Sequence, residues 1–219
     1  MSDFIIHTVP GSPFARSALA TLIEKGAPFR LAPVAPGIMR SEPHLARHAF
    51  GRVPVLEHGD FLLYETQAIL RYLDRVLPDP ALTPGDWKSA ARMDQVMNIS
   101  DWYLFQGVGN VIAFQRIVGP RIMGLVPDET AIAQALPKGH TVIAELSRLL
   151  ADQDYFAGER LSLADLHVAP QLDFLAQTPE WAALSGKAGN LVSWLSRMNE
   201  RESFKATTWE RVVEMAKAA

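Results

Sequence analysis

The sequence predicts a small α/β domain with a mixed β-sheet, followed by a domain made only of helices. Two observations lead to this prediction. Short apolar runs of strand length alternate with helical patterns up to residue 77, and strand signals fade after residue 87. Between the two halves, residues 78–86 read PDPALTPGD, a proline-rich stretch typical of a linker. We therefore expect domains at 1–77 and 87–219, joined by the linker 78–86.

The first elements are a strand and a helix joined by a short loop. Residues 4–6 form an apolar run that predicts a buried strand. Ser12 and Pro13 then supply a favoured N-cap and a favoured first helical residue. Apolar residues follow at helical spacing until Gly26, where a C-cap glycine belongs. The sequence therefore places Ser12 at the N-terminus of the first helix.

The rest of the first half predicts a second strand, a hairpin and another helix. The strand covers residues 29–34, and the hairpin covers 53–64 with its turn at Gly59. Thr66 begins a helical pattern that ends before Pro78. A β-α-β unit joins parallel strands whereas a hairpin joins antiparallel ones, so the sheet is predicted to be mixed.

Helical patterns fill the second half. Residues 87–118 read as one long helix or two, with weak points at Gly107 and Gly109. Ser162 and Asp165 have the spacing of a capping box, in which Asp stands in for the usual Glu or Gln. Further helical patterns cover residues 128–151, 189–199 and 207–217.

The composition excludes several classes of protein. Of the 219 residues, 48% are hydrophobic and 21% charged, which is ordinary for a globular chain. The net charge is −3, so the basic footprint of a nucleic-acid partner is absent. The chain has no cysteine, which excludes disulfides and a cysteine nucleophile. The start has no signal-peptide pattern and no run approaches the ~20 apolar residues of a membrane helix, so we expect a cytoplasmic protein without a membrane partner.

Three motifs of the sequence are each weak signals alone, but their order and spacing together are specific. They are GSPFAR at 11–16, FGRVPVLEHGDFLLYETQAILRYLDR at 50–75 and YFAGERLSLADL at 155–166. Together they resemble the glutathione S-transferase family over essentially the whole chain, with SPF similar to the tau class and HLARHAFGRVPVL similar to the phi class or to bacterial members. The resemblance implies a thioredoxin-like N-terminal domain, a helical C-terminal domain and a homodimer with a role in detoxification.

The resemblance also implies that glutathione is a co-substrate, activated as a thiolate for attack on a small hydrophobic electrophile. Serine-type members place their activating serine in the loop that here contains Ser12, although Ser12 read alone is an ordinary N-cap. An unperturbed thiol has a pKa of ~8.5, and a hydroxyl donor and a helix N-terminus both stabilise its anion. No tyrosine precedes Tyr64, so a tyrosine-type mechanism lacks its residue. Thr8 and Ser17 are the other nearby hydroxyls.

Further residues are assigned to glutathione by the resemblance. The family keeps the proline at Pro54 cis, and the backbone of the preceding residue, here Val53, pairs with the cysteinyl part of glutathione. Glu65 and Thr66 correspond to the pair that binds the γ-glutamyl end, which carries a carboxylate and an ammonium group. Read alone, the same pair is an ordinary helix cap and Pro54 an ordinary proline at a strand start.

Two arginines are candidates for the glycyl carboxylate of glutathione. Arg40 matches a basic position of phi-like members, whereas many members have Gln or Lys where this chain has Arg52; each could instead be an exposed surface charge. His44 and His48 lie four residues apart, but Leu45 stands where the H-E-x-x-H motif requires Glu. We therefore expect no metal site.

The electrophile pocket is assigned to the loop after the first strand and to the long helix of the second half. Phe14 is the candidate from the loop. Tyr103, Gln106 and Asn110 follow the i, i+3, i+7 spacing that places residues on one face of a helix. Acidic residues on this helix reach a neighbouring subunit's ligand in some classes, and Asp101 is the candidate here.

Other functions remain compatible with the same residues. A non-catalytic glutathione-binding or scaffold domain would have the same fold, because fold does not determine function. A glutathione-dependent isomerase, ether-cleaving enzyme or dehalogenase would use similar chemistry, although the serine- and cysteine-rich phrase of the zeta-type isomerases is missing. Retention of Ser12 together with Glu65 and Thr66 favours the transferase.

Overall fold

Four strands near the start of the chain form one mixed β-sheet. The structure is a computed structural model that describes residues 4–218. The strands are β1 (Phe4–Thr8), β2 (Phe29–Pro33), β3 (Val55–His58) and β4 (Phe61–Tyr64), in the order β2-β1-β3-β4. β1 pairs parallel with β2 and antiparallel with β3, and β3 and β4 form a hairpin. The prediction of a mixed sheet is confirmed.

Three helices accompany this sheet. They are α1 (Pro13–Glu24), α2 (Glu42–Leu45) and α3 (Thr66–Val76). α1 and α3 pack against each other, because each has an apolar face at helical spacing. The short α2 was not predicted from the sequence. Fully buried apolar side chains of this helix pair are Leu19, Leu22, Ile69, Leu70 and Leu73.

The second unit of the structure is helical, as predicted. Its helices are α4 (Trp87–Ile99), α5 (Asn110–Ala113), α6 (Glu129–Leu150), α7 (Leu163–Ala176), α8 (Trp181–Ser185) and α9 (Gly189–Asn199). α7 is the most buried of them and packs against α4 and α9. The capping box at its start is confirmed, because the Ser162 N–H donates to the Asp165 carboxylate at 3.0 Å. The buried indole of Trp194 donates to the same carboxylate, also at 3.0 Å.

The stretch after the linker, predicted as one long helix or two, is interrupted. π-helical segments at Ser100–Gly109 and Phe114–Met123 flank α5. Inside the first segment, Gln106 has a ψ of 112° and Gly107 a φ of 87°, so both leave the helical conformation. The Asn110 side-chain oxygen accepts a hydrogen bond from the Gly107 N–H at 2.7 Å, which satisfies an amide that the break leaves open. The predicted weak point at Gly107 is therefore confirmed, whereas the one at Gly109 is wrong, because Gly109 keeps helical angles with a φ of −62° and a ψ of −45°.

The last two helices belong to the first unit. α10 (Glu202–Lys205) packs against α1, and α11 (Trp209–Ala218) packs against β2. The first unit therefore comprises the chain up to Ala81 together with the residues from Arg201 onward, and the second comprises Leu82–Glu200. This grouping differs from the predicted helical domain at 87–219, because no local pattern indicates that the residues after Arg201 pack against the first unit. Among the described residues, no helix is long and apolar enough to span a membrane.

Candidate active site

One edge of the sheet brings together four segments of the chain. His7 of β1 and Tyr64 of β4 both pair with Val55, the first residue of β3. Thr8, the last residue of β1, pairs with Pro33, the last residue of β2. The segments after β1, β2 and β4 and the segment before β3 therefore leave the sheet at the same edge. These segments contain the predicted glutathione residues, which are Ser12, Arg40, Arg52, Val53, Pro54, Glu65 and Thr66.

A pocket of about 410 Å³ lies in the first unit. Its lining residues are Arg40, Ala49, Phe50, Arg52 and Glu65. The structure thus brings three predicted residues, separated by 25 positions of the chain, around one cavity. Sequence reasoning missed Ala49 and Phe50. The sequence offered no signal for them, because the exposure of the Phe50 side chain is seen only in the structure.

Gly51 allows the two arginine segments to approach each other. Its φ is 59°, and a Cβ atom on it would lie 2.6 Å from the Met39 carbonyl oxygen and 3.1 Å from Cδ of Arg40. A side chain at this position would push the Arg40 segment away, so glycine is required both for the backbone conformation and for the close approach. Arg40 and Arg52 therefore line the same cavity.

The charged side chains around the pocket are available to a ligand. Within residues 4–218, the guanidinium groups of Arg40 and Arg52 have no ion-pair or hydrogen-bond partner, and the Glu65 carboxylate has none either. All three residues are exposed. Two unpaired cations and one unpaired anion around one cavity suit a ligand that carries both signs of charge.

Two buried histidines contact the residues that line the pocket. His44 of α2 donates from Nε2 to the Arg52 carbonyl oxygen at 2.9 Å. The Phe50 N–H donates to Nδ1 of His48 at 3.3 Å, and the His48 ring stacks on Tyr64 at 4.4 Å between centroids. Burial lowers the pKa of His48, and the neighbouring His44 and Arg52 lower it further. Among the described residues, no group of three His, Asp or Glu side chains could hold a metal ion.

The residues at the start of α3 have an unusual backbone. Glu65 has a φ of 72° and a ψ of 113°, which non-glycine residues rarely adopt. Such conformations cost about 1–3 kcal/mol and cluster at ligand sites. Thr66, the first residue of α3, is buried beside it. The helix N-terminus attracts negative charge, and the exposed Glu65 carboxylate can accept from a cation.

The Val53–Pro54 peptide bond is cis, as the family resemblance implied. Pro54 is buried and directly precedes β3, whereas Val53 is half-buried. Because His7 pairs with Val55, this bend lies beside the end of β1 and therefore beside the loop that leads to Ser12.

Ser12 is the N-cap of α1, as predicted. Its Oγ accepts from the Ala15 N–H at 3.2 Å, and Pro13 occupies the first helical position. This bond uses a lone pair of the oxygen, so the hydroxyl hydrogen stays available to donate to a second group. The other nearby hydroxyls are fully buried and donate to backbone carbonyls, Thr8 to Val9 at 3.1 Å and Ser17 to Pro13 at 3.2 Å.

The residues predicted for the electrophile pocket are not arranged as the spacing implied. Tyr103, Gln106 and Asn110 do not share one helical face, because the backbone leaves the helix at Gln106 and Gly107. All three residues are exposed in the second unit, Tyr103 to 66%. In the first unit, Phe14 is half-buried in the first turn of α1. Their contribution to an electrophile pocket stays a prediction.

Asp101 has a partner inside its own chain. Its carboxylate lies 2.6 Å from Nε2 of His167, which is fully buried in α7. This contact joins the first π-helical segment to α7. Contact with a ligand of a neighbouring subunit stays a prediction.

Comparison with known proteins agrees with this geometry. The chain matches the glutathione S-transferase N-terminal domain over residues 6–81 and the C-terminal domain over residues 111–202. A glutathione S-transferase of Hyoscyamus muticus is 30% identical, and the match covers 95% of this chain and 97% of that protein. Glutathione transferase F7 of Populus trichocarpa has a TM-score of 0.84 and 28% identity, covering 97% of this chain and 99% of that one.

A further solved structure, glutathione S-transferase I bound to lactoylglutathione, has a TM-score of 0.82 and 26% identity over the full length of both chains. The thioredoxin-like N-terminal domain and the helical C-terminal domain are thereby confirmed. Both family domains and a relative of matching length point to the same assignment. The chain belongs to the glutathione S-transferase family.

Proposed function

We propose that this protein is a glutathione transferase in which Ser12 stabilises the glutathione thiolate for attack on a small hydrophobic electrophile. The observation that carries the proposal is the convergence at one sheet edge. Ser12, the cis Val53–Pro54 bond and the start of α3 leave the sheet there, and unpaired arginines line a pocket with Glu65. Family membership supports the activity, and the solved relative with lactoylglutathione supports glutathione as the ligand type.

The charges of the site complement those of glutathione. Its glycyl carboxylate would pair with Arg40 or Arg52, for which a guanidinium provides charge-assisted hydrogen bonds. The γ-glutamyl carboxylate would bind at the N-terminus of α3 near the Thr66 hydroxyl, and the γ-glutamyl ammonium would pair with Glu65. The backbone of Val53, which precedes β3, would pair with the cysteinyl part.

The chemical step requires a thiolate. The Ser12 hydroxyl would donate to the sulfur while its oxygen still accepts from the Ala15 N–H, and the N-terminus of α1 adds positive potential. The thiol proton leaves to solvent. The thiolate electron pair then forms a sulfur–carbon bond, and either a leaving group departs with its bonding electrons or a polarised double bond takes up the pair and is later protonated.

The second substrate and the assembly complete the proposal. Phe14, Tyr103, Gln106 and Asn110 would contact the electrophile, and two copies of the chain would form a homodimer. Because these side chains are aromatic or carry amides, we expect the electrophile to be a small, largely hydrophobic molecule.

One experiment tests the proposal directly. The protein is incubated with glutathione and a panel of electrophiles, conjugates are detected by mass spectrometry, and glutathione binding is measured by calorimetry. We expect binding together with at least one conjugate formed faster than without protein. Binding without any conjugate would favour the non-catalytic scaffold, and the absence of both heat and thermal stabilisation would contradict the proposal.

A further inference from the structure

The end of the chain lies along α1 within the first unit. Arg201 makes two hydrogen bonds of 2.8 Å to the Glu24 carboxylate, which lies at the last residue of α1. The Ser203 hydroxyl donates to the same carboxylate at 2.5 Å. The pKa of Glu24 is lowered despite burial, because Arg201 and Ser203 stabilise its anion. This end of α1 is therefore joined to the chain just before and within α10.

The next contact lies farther toward the start of α1. Arg16 is buried in the second turn of the helix, and its guanidinium donates to the Phe204 carbonyl oxygen at 3.2 Å. The same guanidinium lies 5.1 Å from the centre of the Phe204 ring, within the range of a cation–π contact. The C-terminal segment thus follows α1 from its last residue toward its first.

The segment then reaches the loop in front of α1. Gly11 has a φ of 84°, and a Cβ atom on it would overlap Cε3, Cζ3 and Cη2 of Trp209, the first residue of α11. The indole ring therefore occupies the space that a side chain at residue 11 would fill. Gly11 immediately precedes Ser12, whose N–H closes the loop by donating to the Val9 carbonyl at 3.2 Å. Trp209 is thus in contact with the loop that carries the Ser12 hydroxyl.

We propose that Trp209 is a positioning residue for Ser12, holding the loop so that the hydroxyl points at the glutathione sulfur. The inference rests on the proposed function of Ser12. A glycine at φ 84° next to the serine leaves the loop with many accessible conformations unless something packs against it. The strength of a hydrogen bond depends steeply on distance and angle, so movement of this loop weakens the donation to sulfur.

The chain offers a matched control for this tryptophan. Trp87 is the first residue of α4, as Trp209 is of α11, but it lies in the second unit and is 90% exposed. Substituting either residue changes the same helical position, so effects on helix propensity cancel in the comparison. Of these two tryptophans, Trp209 is the one whose ring contacts the loop before Ser12.

The test measures the pKa of bound glutathione from its thiolate absorbance in the wild type, Trp209→Leu, Trp209→Phe and Trp87→Leu. Trp209→Leu should raise the pKa of the bound thiol by about 0.5–1 pH unit, a loss of about threefold to tenfold in thiolate below that pKa. Trp209→Phe keeps an aromatic ring and should raise the pKa of the bound thiol by a smaller amount. This variant still tests the inference if Trp209→Leu does not fold. Trp87→Leu should match the wild type.

A double-mutant cycle shows whether Trp209 acts through Ser12. In a Ser12→Ala background, Trp209→Leu should leave the pKa of the bound thiol unchanged, because the group that it positions is gone. A purely structural role for Trp209 predicts a lower melting temperature with the same pKa as the wild type, and that result would overturn the inference. If wild type and Ser12→Ala share one thiol pKa, the proposed role of Ser12 fails first, so the two failures are distinguishable.

Discussion

Glu65 carries the charge proposed to bind the ammonium group of glutathione, and its backbone has a conformation that glycine would adopt more easily. Its φ of 72° lies in the left-handed region, and its carboxylate is exposed at the pocket. The fold therefore retains a strained residue at the start of α3. Strain of this kind at a cavity is typical of a residue kept for binding rather than for stability.

Glu65→Gly should therefore raise stability while weakening glutathione binding. Relief of the strained backbone is worth about 1 kcal/mol after the greater chain entropy of glycine is subtracted, and loss of a charge-assisted contact costs about 1.5–3 kcal/mol of binding. Thermal melting and calorimetry measure the two effects. Asp60→Gly is the control, because Asp60 is exposed in the hairpin turn without a positive φ. A lower melting temperature for Glu65→Gly than for Asp60→Gly would contradict this account.

Substitution can identify which of Arg40 and Arg52 binds the glycyl carboxylate of glutathione. Replacing the arginine that binds the glycyl carboxylate with Gln should weaken glutathione binding by about 1.5 kcal/mol, which is roughly tenfold. This value is the lower end of the ~1.5–3 kcal/mol range for charge-assisted hydrogen bonds, because the arginine side chains are exposed. The same variant should bind γ-glutamylcysteine, which lacks that carboxylate, as well as the wild type does. Arg75→Gln, at the exposed end of α3, is the control. Equal weakening toward both ligands would show that the arginine acts on the fold.

His48 follows α2 and contacts the pocket residue Phe50, so its protonation state affects the pocket. Burial lowers the pKa of this side chain, and the charges of His44 and Arg52 add to the effect. Its ring stacks on Tyr64, the residue before Glu65. Protonation of His48 therefore places a buried charge beside the residues that line the pocket and destabilises the folded protein.

Stability should decrease as the pH falls below the ordinary histidine pKa of about 6.5. The unfolded chain takes up a proton there that folded His48 does not, so the unfolding free energy falls with pH until the lowered pKa of the folded state is reached. His48→Asn keeps an acceptor near the position of Nδ1 and removes the titration. Its melting temperature should change less between about pH 7.5 and about pH 5.5 than that of the wild type. An identical change in both proteins would assign the effect to other groups.

Local patterns predicted the elements that carry the site. Ser12 followed by Pro13 marked the start of α1, and the glycine at 59 marked the hairpin turn, because caps and turns depend on neighbouring residues. The helical face assigned to Tyr103 and Asn110 was wrong because the spacing argument assumes an unbroken helix. Gln106 breaks it with a backbone conformation that its side chain does not signal.

Contacts between distant parts of the chain could not be predicted in this way. Glu24 and Arg201 are 177 residues apart, and no periodic pattern links them. The contact of Trp209 with Gly11 depends on the same return of the chain. Similarly, Phe50 lines the pocket only because the sheet and α2 bring its segment beside Glu65. Pairings of this kind are set by tertiary packing rather than by local propensity.

The assembly of the whole protein gives a separate prediction. We expect a homodimer, with a mass about twice the 24.2 kDa of one chain in light scattering. The exposed apolar side chains of Phe50, Phe61 and Leu62 in the first unit are consistent with a covered surface. A single species at 24.2 kDa across the accessible concentration range would contradict this prediction.

The Ser12→Ala variant separates the helix cap of Ser12 from its proposed role at the glutathione thiol. Loss of the cap should cost about 1 kcal/mol of stability, and loss of the donor should raise the pKa of bound glutathione by about one to two pH units. Asp86→Ala is the control, because Asp86 caps α4 by accepting from the Ser89 N–H at 2.9 Å. It should lower stability similarly and leave the thiol unchanged.

The most direct measurement is therefore a titration of the thiolate absorbance of bound glutathione in the wild type and in the Ser12→Ala and Asp86→Ala variants. We expect a pKa of the bound thiol below the ~8.5 of a free thiol in the wild type, a higher pKa in Ser12→Ala alone, and retained glutathione binding in all three proteins. A lower melting temperature for Ser12→Ala with the same titration curve as the wild type would show that Ser12 is only a helix cap.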